Sequence, residues 1–384
     1  MIVDADNPSA FGPRRAASAS LKSPVEMPFR YDNQHLFVDV DIEGRIYNFL
    51  FDTGFDFTAI DLSLADKIEY EEILKYKVSG SSFKKHKIQF IALEKVSLSG
   101  IDFKEIGASF DDLSFINKDY ACAERRVDGV IGANLLRHAN WQIDYEKRVI
   151  RFSDKTSNFN FSENVIKIPM NSKGWGSPSV KLIINGVEKS FKVDTGSSGS
   201  ITTGIEFKKE LSKNPKKVAC TSVLRGKAQL YENYFASVEQ MRAGDLMLND
   251  QMISLEKGVS SLLGNQLFEH FMVTVDWVNN QLLLDPIKKL ESSSLFDFDL
   301  LLKPNYITNK IEISGLYNRD LMESGFTIGQ EILTINGNDV TLFSKEELCE
   351  YWNQEREAIS MQDKLTIETI NGTKVLLKKD WLVP

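Results

Sequence analysis

The sequence has few of the residues that build metal centres and disulfide frameworks. Its 384 residues include 3 cysteines and 4 histidines, without an H-E-x-x-H motif. Cys122, Cys220 and Cys349 are odd in number, far apart, and in no C-x-x-C spacing. We therefore predict neither a disulfide framework nor a zinc site, and we interpret the cysteines and histidines as packed or surface residues. No cofactor and no metal is indicated.

Long apolar runs and an excess of positive charge are also lacking. No stretch approaches the roughly 18 uninterrupted apolar residues of a membrane-spanning helix, which predicts a chain without a membrane span. Lysine and arginine total 46 against 54 aspartate and glutamate residues, a net charge of −8. Such a chain offers phosphate backbones little attraction, so nucleic acid is not an expected partner.

The first thirty residues lack the pattern of a signal peptide. Residues 1–28 are polar and interrupted by 4 prolines, with no charged-then-apolar sequence. We predict that residues 1–30 form a flexible tail. The compartment stays open, with an exported form among the alternatives.

What the sequence does contain is an internal repeat. Residues 37–54 align without a gap on residues 179–196, and each copy reads as a strand, a glycine-containing turn and a second strand. Each copy ends in the same three residues, which are Asp52-Thr53-Gly54 in the first copy and Asp194-Thr195-Gly196 in the second. Two such motifs at equal offset within a longer repeat are not a chance occurrence.

A second correspondence lies further along each copy. Residues 130–136 match residues 262–268, where an apolar pair precedes a glycine, and residues 141–144 match residues 273–276. The second copy is shorter between these landmarks, as loops tolerate. We interpret Asp144 and Asp276, which close the second match, as residues that end a strand before a hairpin.

The repeat predicts two all-β lobes, at residues 31–158 and 159–290. Short β-branched and aromatic strands alternate with turn residues, which is typical of an all-β fold. Residues 154–164 are the predicted linker between the lobes, and a second linker follows Pro286. Residues 296–384 differ: they predict a small β-rich domain with one or two helices, one of which begins at a Ser344–Glu347 capping box.

Two aspartates on turns related by a repeat are placed to face each other across a pseudo-twofold axis. Two close carboxylates cannot both ionise cheaply, so the pair holds one proton as a coupled unit. That unit can take a proton from a bridging water and give one to a carbonyl oxygen, which hydrolyses an amide without a metal or a covalent intermediate. Asp52 and Asp194 are thus the candidate catalytic residues. The predicted supporting residues are Thr53 and Thr195, which tie the turns together, and Gly54 and Gly196, which allow close approach.

These motifs resemble the two halves of an aspartic peptidase. Phe51 to Gly54 and Val193 to Gly196 each precede an apolar-apolar-Gly segment and a short helix, and each half is similar to a retropepsin-like subunit. The resemblance covers residues 31–290 and implies a peptide or protein substrate in a cleft between the lobes, beneath a hairpin flap. By position, it implies small residues such as Ser197 after the motif. It places the flap tips near Ser79 and Gly80 and near Arg225 and Gly226.

The first motif departs from this family pattern. Phe55 stands where the family has a small residue, so it would occupy cleft space and remove a hydroxyl that orients Asp52. Asp56 adds a third carboxylate nearby. Narrowed specificity, a raised pKa of the pair and lost activity are the three interpretations that stay open.

The C-terminal part has a resemblance of its own. Residues 313–340 are similar to the central part of a PDZ domain, a family that binds peptide C-termini by adding a strand to a sheet edge. No apolar-Gly-apolar-apolar loop is found between Leu300 and Ile313, where the family would have it. The resemblance therefore implies the fold, and leaves peptide capture open.

Two functions follow from these observations. The first is an aspartic endopeptidase whose site lies between two lobes, with a PDZ-like module that assists substrate placement. The alternative is a catalytically inactive peptide-binding or scaffold protein on the same fold. Because both motifs lie in one chain, a monomer is the expected state.

Overall fold

The computed structural model gives the protein a mainly β architecture, as predicted. It describes residues 14–15, 23–79, 85–120, 122, 125–172, 176–211, 216–224, 227–289, 296–317 and 319–380.

The first repeat copy and the segment before it form the following elements in chain order. They are β1 (Arg14–Arg15), β2 (Val25–Pro28), β3 (Arg30–Asp32), β4 (His35–Ile42), β5 (Arg45–Phe51), β6 (Ala59–Asp61), β7 (Glu71–Ser79), β8 (Lys85–Leu98), β9 (Ile101–Asp111), α1 (Ser114–Asp119), β10 (Gly129–Ile131), α2 (Ala133–Leu136), β11 (Asn140–Asp144) and β12 (Val149–Ser153). One sheet has the order β1-β9-β6-β10-β5-β4-β8-β7, with β3 paired to β4.

The second copy repeats this plan. Its elements are β13 (Ile166–Asn171), β14 (Ser179–Ile184), β15 (Val187–Val193), β16 (Ile201–Gly204), β17 (Lys216–Leu224), β18 (Lys227–Ala243), β19 (Leu246–Glu256), β20 (Leu262–Leu263), α3 (Asn265–Phe268), β21 (Phe271–Asp276) and β22 (Gln281–Pro286). In both copies the hairpin that leads to Asp-Thr-Gly turns at two residues with positive φ, which matches the twist of the strands it joins. These residues are Glu43 and Gly44, and Asn185 and Gly186.

A central sheet joins the two copies. Its strand order is β2-β12-β11-β21-β22-β13, and β11 lies antiparallel to β21. Gln142 is paired with Thr274, which the repeat offset makes its equivalent, so a pseudo-twofold axis passes between these two residues. One continuous apolar core spans both copies. Asp144 and Asp276 end their strands as expected, and each accepts a backbone N–H of the turn that follows.

The expected flexible tail is wrong for its last residues. Residues 25–28 form β2, which pairs with β12 along its whole length. Met27 and Phe29 are buried in the core. The apolar side chains of this short strand pack in the core beneath the central sheet. Its two bordering prolines are compatible with strand pairing because β2 is an edge strand.

The C-terminal part has its own apolar core and adds strands to the second copy. Its elements are β23 (Phe296–Asp297), β24 (Leu300–Asn305), β25 (Lys310–Leu316), α4 (Arg319–Glu323), β26 (Thr334–Ile335), β27 (Asn338–Asp339), α5 (Lys345–Met361), β28 (Lys364–Thr369), β29 (Gly372–Leu377) and β30 (Lys379–Asp380). α5 begins at the predicted capping box of Ser344 and Glu347. β25 pairs with β17, so the sheet of the second copy continues into this part.

A disulfide contradicts the prediction that the cysteines are unlinked. Cys122, which follows α1, is bonded to Cys349 of α5 across a sequence separation of 227 residues. No local spacing signals a pair so distant in sequence, because the fold alone brings the two residues together. The bond fixes α5 to the first repeat copy. No helix in the described ranges is long and apolar enough to cross a membrane.

Candidate active site

Asp52 and Asp194 each follow the last residue of a strand, β5 or β15. β5 and β15 are held in place by a parallel neighbour, β10 and β20 respectively. The hydrogen bonding continues one residue past each strand, since the N–H of Asp52 donates to Ile131 O at 3.1 Å and that of Asp194 to Leu263 O at 2.9 Å. Both aspartates are therefore fixed by their main chain before any side-chain contact is considered.

The threonines that follow the aspartates exchange hydrogen bonds across the two copies. The N–H of Thr53 donates to Thr195 Oγ1 at 3.0 Å, and the N–H of Thr195 donates to Thr53 Oγ1 at 3.1 Å. Each hydroxyl in turn donates to a carbonyl of the opposite strand, Val193 O or Phe51 O. Both threonines are fully buried. The network ties the two turns together as the sequence analysis expected.

The glycines of the two motifs leave room for the opposite carboxyl group. A Cβ atom on Gly54 would lie 2.1 Å from Asp194 Cγ, and one on Gly196 would lie 2.1 Å from Asp52 Oδ2. No side chain fits at such distances. Each glycine N–H also donates to the carboxylate of its own motif, at 2.8 Å for Asp52 and 2.9 Å for Asp194.

The two carboxyl groups are hydrogen-bonded to each other, so their proton affinities depend on one another. Burial raises the pKa of Asp52 well above its ordinary value, and the neighbouring Asp194 raises it further. Burial also raises the pKa of Asp194, against the hydrogen bond from Asp52 and the N–H of Gly196. A buried pair of this kind keeps one proton at a pH where ordinary aspartates have lost theirs.

Phe55 and Asp56, the two residues that depart from the family pattern, have different surroundings in the structure. Phe55 lines the cleft beside Asp52, and its N–H donates to Asp52 Oδ1 at 2.9 Å. Asp56 turns to Ser177, whose N–H lies 2.8 Å from Asp56 Oδ1, and to Lys192. Burial acts to raise the pKa of Asp56, but hydrogen bonds from Ser177 and the charge of Lys192 bring the pKa below its usual value. Asp56 is therefore a paired carboxylate.

A cleft of about 840 Å³ opens at Asp52 and reaches Gly196 of the second motif. The first copy contributes apolar side chains to it, with Leu50, Tyr120 and Val130 from one small apolar cluster. Gly196 and Ser198 line it from the second copy. The C-terminal part closes the far side through β24 and α5, with Lys303, Pro304, Tyr306, Trp352, Asn353 and Arg356.

The residues of the C-terminal part that line this cleft were not predicted from the sequence. They come from a strand and a helix that bear no catalytic motif, and they reach the cleft because α5 is bonded to Cys122 and lies against the turn after β3. The ring of His35 also lines the cleft and was interpreted from the sequence as an ordinary packed or surface residue. The sequence feature that could have indicated its place in the cleft is its position two residues before the aligned segment of the repeat.

The predicted flap tips fall between paired strands. β7 and β8 form an antiparallel hairpin in which Ser79 is opposite Lys85, and β17 and β18 form another in which Leu224 is opposite Lys227. Gly80, Arg225 and Gly226 lie outside the described residues. Ser197 follows the second motif, where its carbonyl accepts the N–H of Asn265 at the start of α3.

Comparison with known families supports the chemistry suggested by this geometry. Residues 38–135 match the family described as aspartyl protease, which supports an aspartyl protease domain in this part of the chain and a hydrolase of the aspartic protease type. The match includes the first Asp-Thr-Gly motif and the segment through α2. No protein of curated function shows significant similarity to the chain.

Proposed function

We propose that the protein is an aspartic endopeptidase in which Asp52 and Asp194, one from each of two lobes, activate a water molecule for peptide hydrolysis. The observation that carries this proposal is the mutual approach of the two motifs, in which each aspartate fills the space that a side chain on the other motif's glycine would need. The reciprocal threonine bonds hold that approach in a fully buried setting.

The reaction follows from a pair that holds one proton. The charged carboxylate takes a proton from a water between the two groups, and the water oxygen attacks the peptide carbonyl carbon. The neutral carboxyl gives its proton to the carbonyl oxygen, which avoids a free oxyanion. Collapse of the resulting diol breaks the C–N bond: the proton taken from water passes to the leaving amine, and one diol hydroxyl gives its proton back to the other carboxylate as the C=O of the product acid forms. The pair is thereby returned to its starting protonation state.

The proposal includes a role for the C-terminal part, as a PDZ-like module that helps to place the substrate. Its support is the cleft wall that β24 and α5 provide, with the cationic side chains of Lys303 and Arg356. The disulfide from Cys122 to Cys349 keeps that wall beside the first copy. An extended peptide that crosses the aspartate pair would therefore contact this module on one side of the cut bond.

A digest of a diverse peptide mixture from pH 3 to 7, read by mass spectrometry, tests the proposal. Wild type is compared with Asp52→Asn and Asp194→Asn, and with wild type plus a statine-type transition-state analogue. We expect cleavage by wild type that is lost in both variants and blocked by the analogue. The variants keep the shape of the carboxyl group, so loss of cleavage in a folded variant reports the missing proton chemistry.

The alternative, an inactive peptide-binding protein on the same fold, gives a different result in this experiment. Its motivation is Phe55, which lines the cleft at the position where a small residue is expected. A folded wild type that cleaves nothing at any pH, but binds peptides equally well with and without both aspartates, would establish that alternative.

A further inference from the structure

The glycine carbonyls of the two Asp-Thr-Gly turns are each held by a side chain from the opposite copy. The ring of His35, at the start of β4, has Nε2 at 3.0 Å from Gly196 O. The hydroxyl of Ser177, just before β14, lies 2.8 Å from Gly54 O and 2.5 Å from Asp56 Oδ1, and its proton is shared between these two acceptors. His35 and Ser177 are 142 residues apart, the offset that also relates the two aspartates. The two contacts are therefore one interaction, made twice by the repeat.

We propose that His35 and Ser177 are positioning residues of the aspartate pair, and that His35 also places a charge that varies with pH beside one of the two aspartates. The inference rests on the proposed function and adds to it two residues outside the Asp-Thr-Gly motifs. Neither residue reacts with a substrate in this account. Each acts through the turn that it holds.

The route from Ser177 to the carboxyl group is short and rigid. Gly54 C=O and the N–H of Phe55 belong to the same planar peptide unit, so fixing the carbonyl also fixes the N–H. That N–H donates to Asp52 Oδ1 at 2.9 Å. Ser177 thus orients a hydrogen bond to the carboxylate without touching it. Lys192 Nζ, 3.3 Å from the same carbonyl oxygen, adds a fixed charge on this side.

His35 holds the equivalent carbonyl of the second turn, but there the peptide N–H donates to the main chain and not to the carboxyl group. Gly196 C=O shares a peptide plane with the N–H of Ser197, which donates to the main-chain oxygen of Asp194 at 3.2 Å. Because a carbonyl oxygen only accepts, His35 must carry a proton on Nε2 in this contact. Its Nδ1 lies 2.6 Å from the hydroxyl of Tyr120.

Both hydrogen bonds of the His35 ring can form whether the imidazole is neutral or charged. In the neutral ring, Nδ1 accepts the Tyr120 proton, and in the charged ring Nδ1–H donates to the Tyr120 oxygen, while the bond to Gly196 stays in place. Protonation therefore changes the charge beside the pair without releasing the turn. Burial raises the pKa of Asp194, and a positive charge on His35 is among the influences that oppose this rise.

Other groups contribute to the field around His35. Titratable and charged side chains line the cleft with His35 or interact with the aspartate pair beside it. They are Asp32, Asp52, Tyr120, Lys192, Asp194, Lys303 and Arg356. Among these side chains, imidazole is the kind that ordinarily changes its charge between about pH 5 and 8.

Steady-state cleavage of one peptide, chosen from the wild-type digest, tests the inference across pH 3–8. The variants are His35→Gln, His35→Leu and Ser177→Ala, and the control is His270→Gln, a histidine outside the cleft lining. Gln keeps an N–H donor for Gly196 O and removes the charge. Loss of the donor in His35→Leu or Ser177→Ala should lower kcat by about tenfold with KM little changed. The control should match wild type.

The pH profile separates a positioning role from a merely structural one. In His35→Gln the pair loses a positive neighbour, so its pKa values rise and the acidic limb of kcat/KM should move to higher pH, by on the order of half a unit. Profiles of His35→Gln and Ser177→Ala that coincide with wild type would overturn the inference and leave the peptidase intact. If His35→Leu does not fold, the acidic limb of His35→Gln decides. A wild type without cleavage would remove the proposed function and this inference together.

Discussion

Thr53 and Thr195 donate to each other's hydroxyl oxygen through their main-chain N–H groups, at 3.0 and 3.1 Å. The two residues are 142 positions apart and belong to different repeat copies. Because both are fully buried, water cannot replace a lost bond. The exchange is therefore the link by which the two turns keep a common geometry.

Removing one of these hydroxyls should weaken the fold and the site together. Thr53→Val keeps the shape of the side chain, but it leaves the N–H of Thr195 and the carbonyl of Val193 without their partner. We expect a loss of about 2–4 kcal/mol in the free energy of unfolding and a strong fall in kcat. Urea denaturation measures the first and peptide cleavage the second. Thr53→Ser, which retains the hydroxyl, is the matched control, and equal behaviour of the two variants would contradict the prediction.

The buried aspartates should reduce stability at neutral pH. The pKa of Asp52 is raised in the folded protein, mainly by burial, so the folded state binds the proton over a pH range in which the unfolded chain has released it. The free energy of unfolding therefore falls as the pH rises from about 4 through the raised pKa. Below both pKa values the two states bind the same proton and this cost vanishes.

Asp52→Asn removes that cost, since an amide does not ionise. We expect the variant to exceed wild type in stability by about 1–3 kcal/mol at pH 7 and to lose the advantage near pH 3.5. Denaturant unfolding at the two pH values measures the difference. Asp245→Asn changes an exposed carboxyl group and is the control. A variant that is less stable than wild type at pH 7 would show that the charge at Asp52 is well compensated.

The disulfide between Cys122 and Cys349 should matter for substrate binding more than for the chemical step. Reduction or Cys349→Ser frees α5, and with it Trp352 and Arg356 on the cleft wall. We expect KM to rise several-fold with kcat less affected. The midpoint of thermal unfolding should fall, since closing a loop of more than 200 residues stabilises by about 5 kcal/mol in the chain-entropy account.

KM, kcat and the midpoint of thermal unfolding are measured with and without a thiol reductant. Reduced wild type should behave as Cys349→Ser does, whereas the reductant should change nothing further in that variant. Cys220→Ser, at the remaining cysteine of the sequence, serves as the control. A reduced protein with unaltered KM would mean that the C-terminal part keeps its place through its strand pairing and apolar contacts alone.

Phe55 should set the size of the pocket beside Asp52. Its repeat equivalent is Ser197, and the structure places the phenylalanine in the cleft lining. Phe55→Ser should open this space and raise kcat/KM by about tenfold for peptides with a large apolar residue next to the cut bond. The peptide digest reports the change as a shift in cleavage sites. Phe57→Ser is the control, because Phe57 packs on Phe90; an identical site pattern in Phe55→Ser would contradict a pocket role.

The approach of Asp52 to Asp194 could be predicted because a repeat forces equivalent residues to a pseudo-twofold axis. The mainly β fold and the capping box of α5 could also be predicted, from local sequence patterns. The catalytic role of Asp52 and Asp194 stays a prediction. The cleft wall from β24 and α5, by contrast, depends on how separate parts pack, and no short pattern encodes it.

Other features were missed for identifiable reasons. The pairing of Cys122 with Cys349 spans 227 residues, so spacing rules do not detect it. The β2 strand lies among prolines and gains its structure from β12, which is far away in sequence. His35 and Ser177 differ in residue type, and a repeat that preserves a contact but changes the side chains gives little sequence signal.

The central claim is that Asp52 and Asp194 form one buried acid–base unit, and a carbon-13 NMR titration of the carboxyl groups in aspartate-labelled protein tests it most directly. The two resonances are assigned from the spectra of Asp52→Asn and Asp194→Asn. The account predicts two coupled steps, with one proton still shared by the pair at a pH above the ordinary aspartate pKa of about 3.9. Two independent titrations near that ordinary value would contradict the account, whatever the protein is found to cleave.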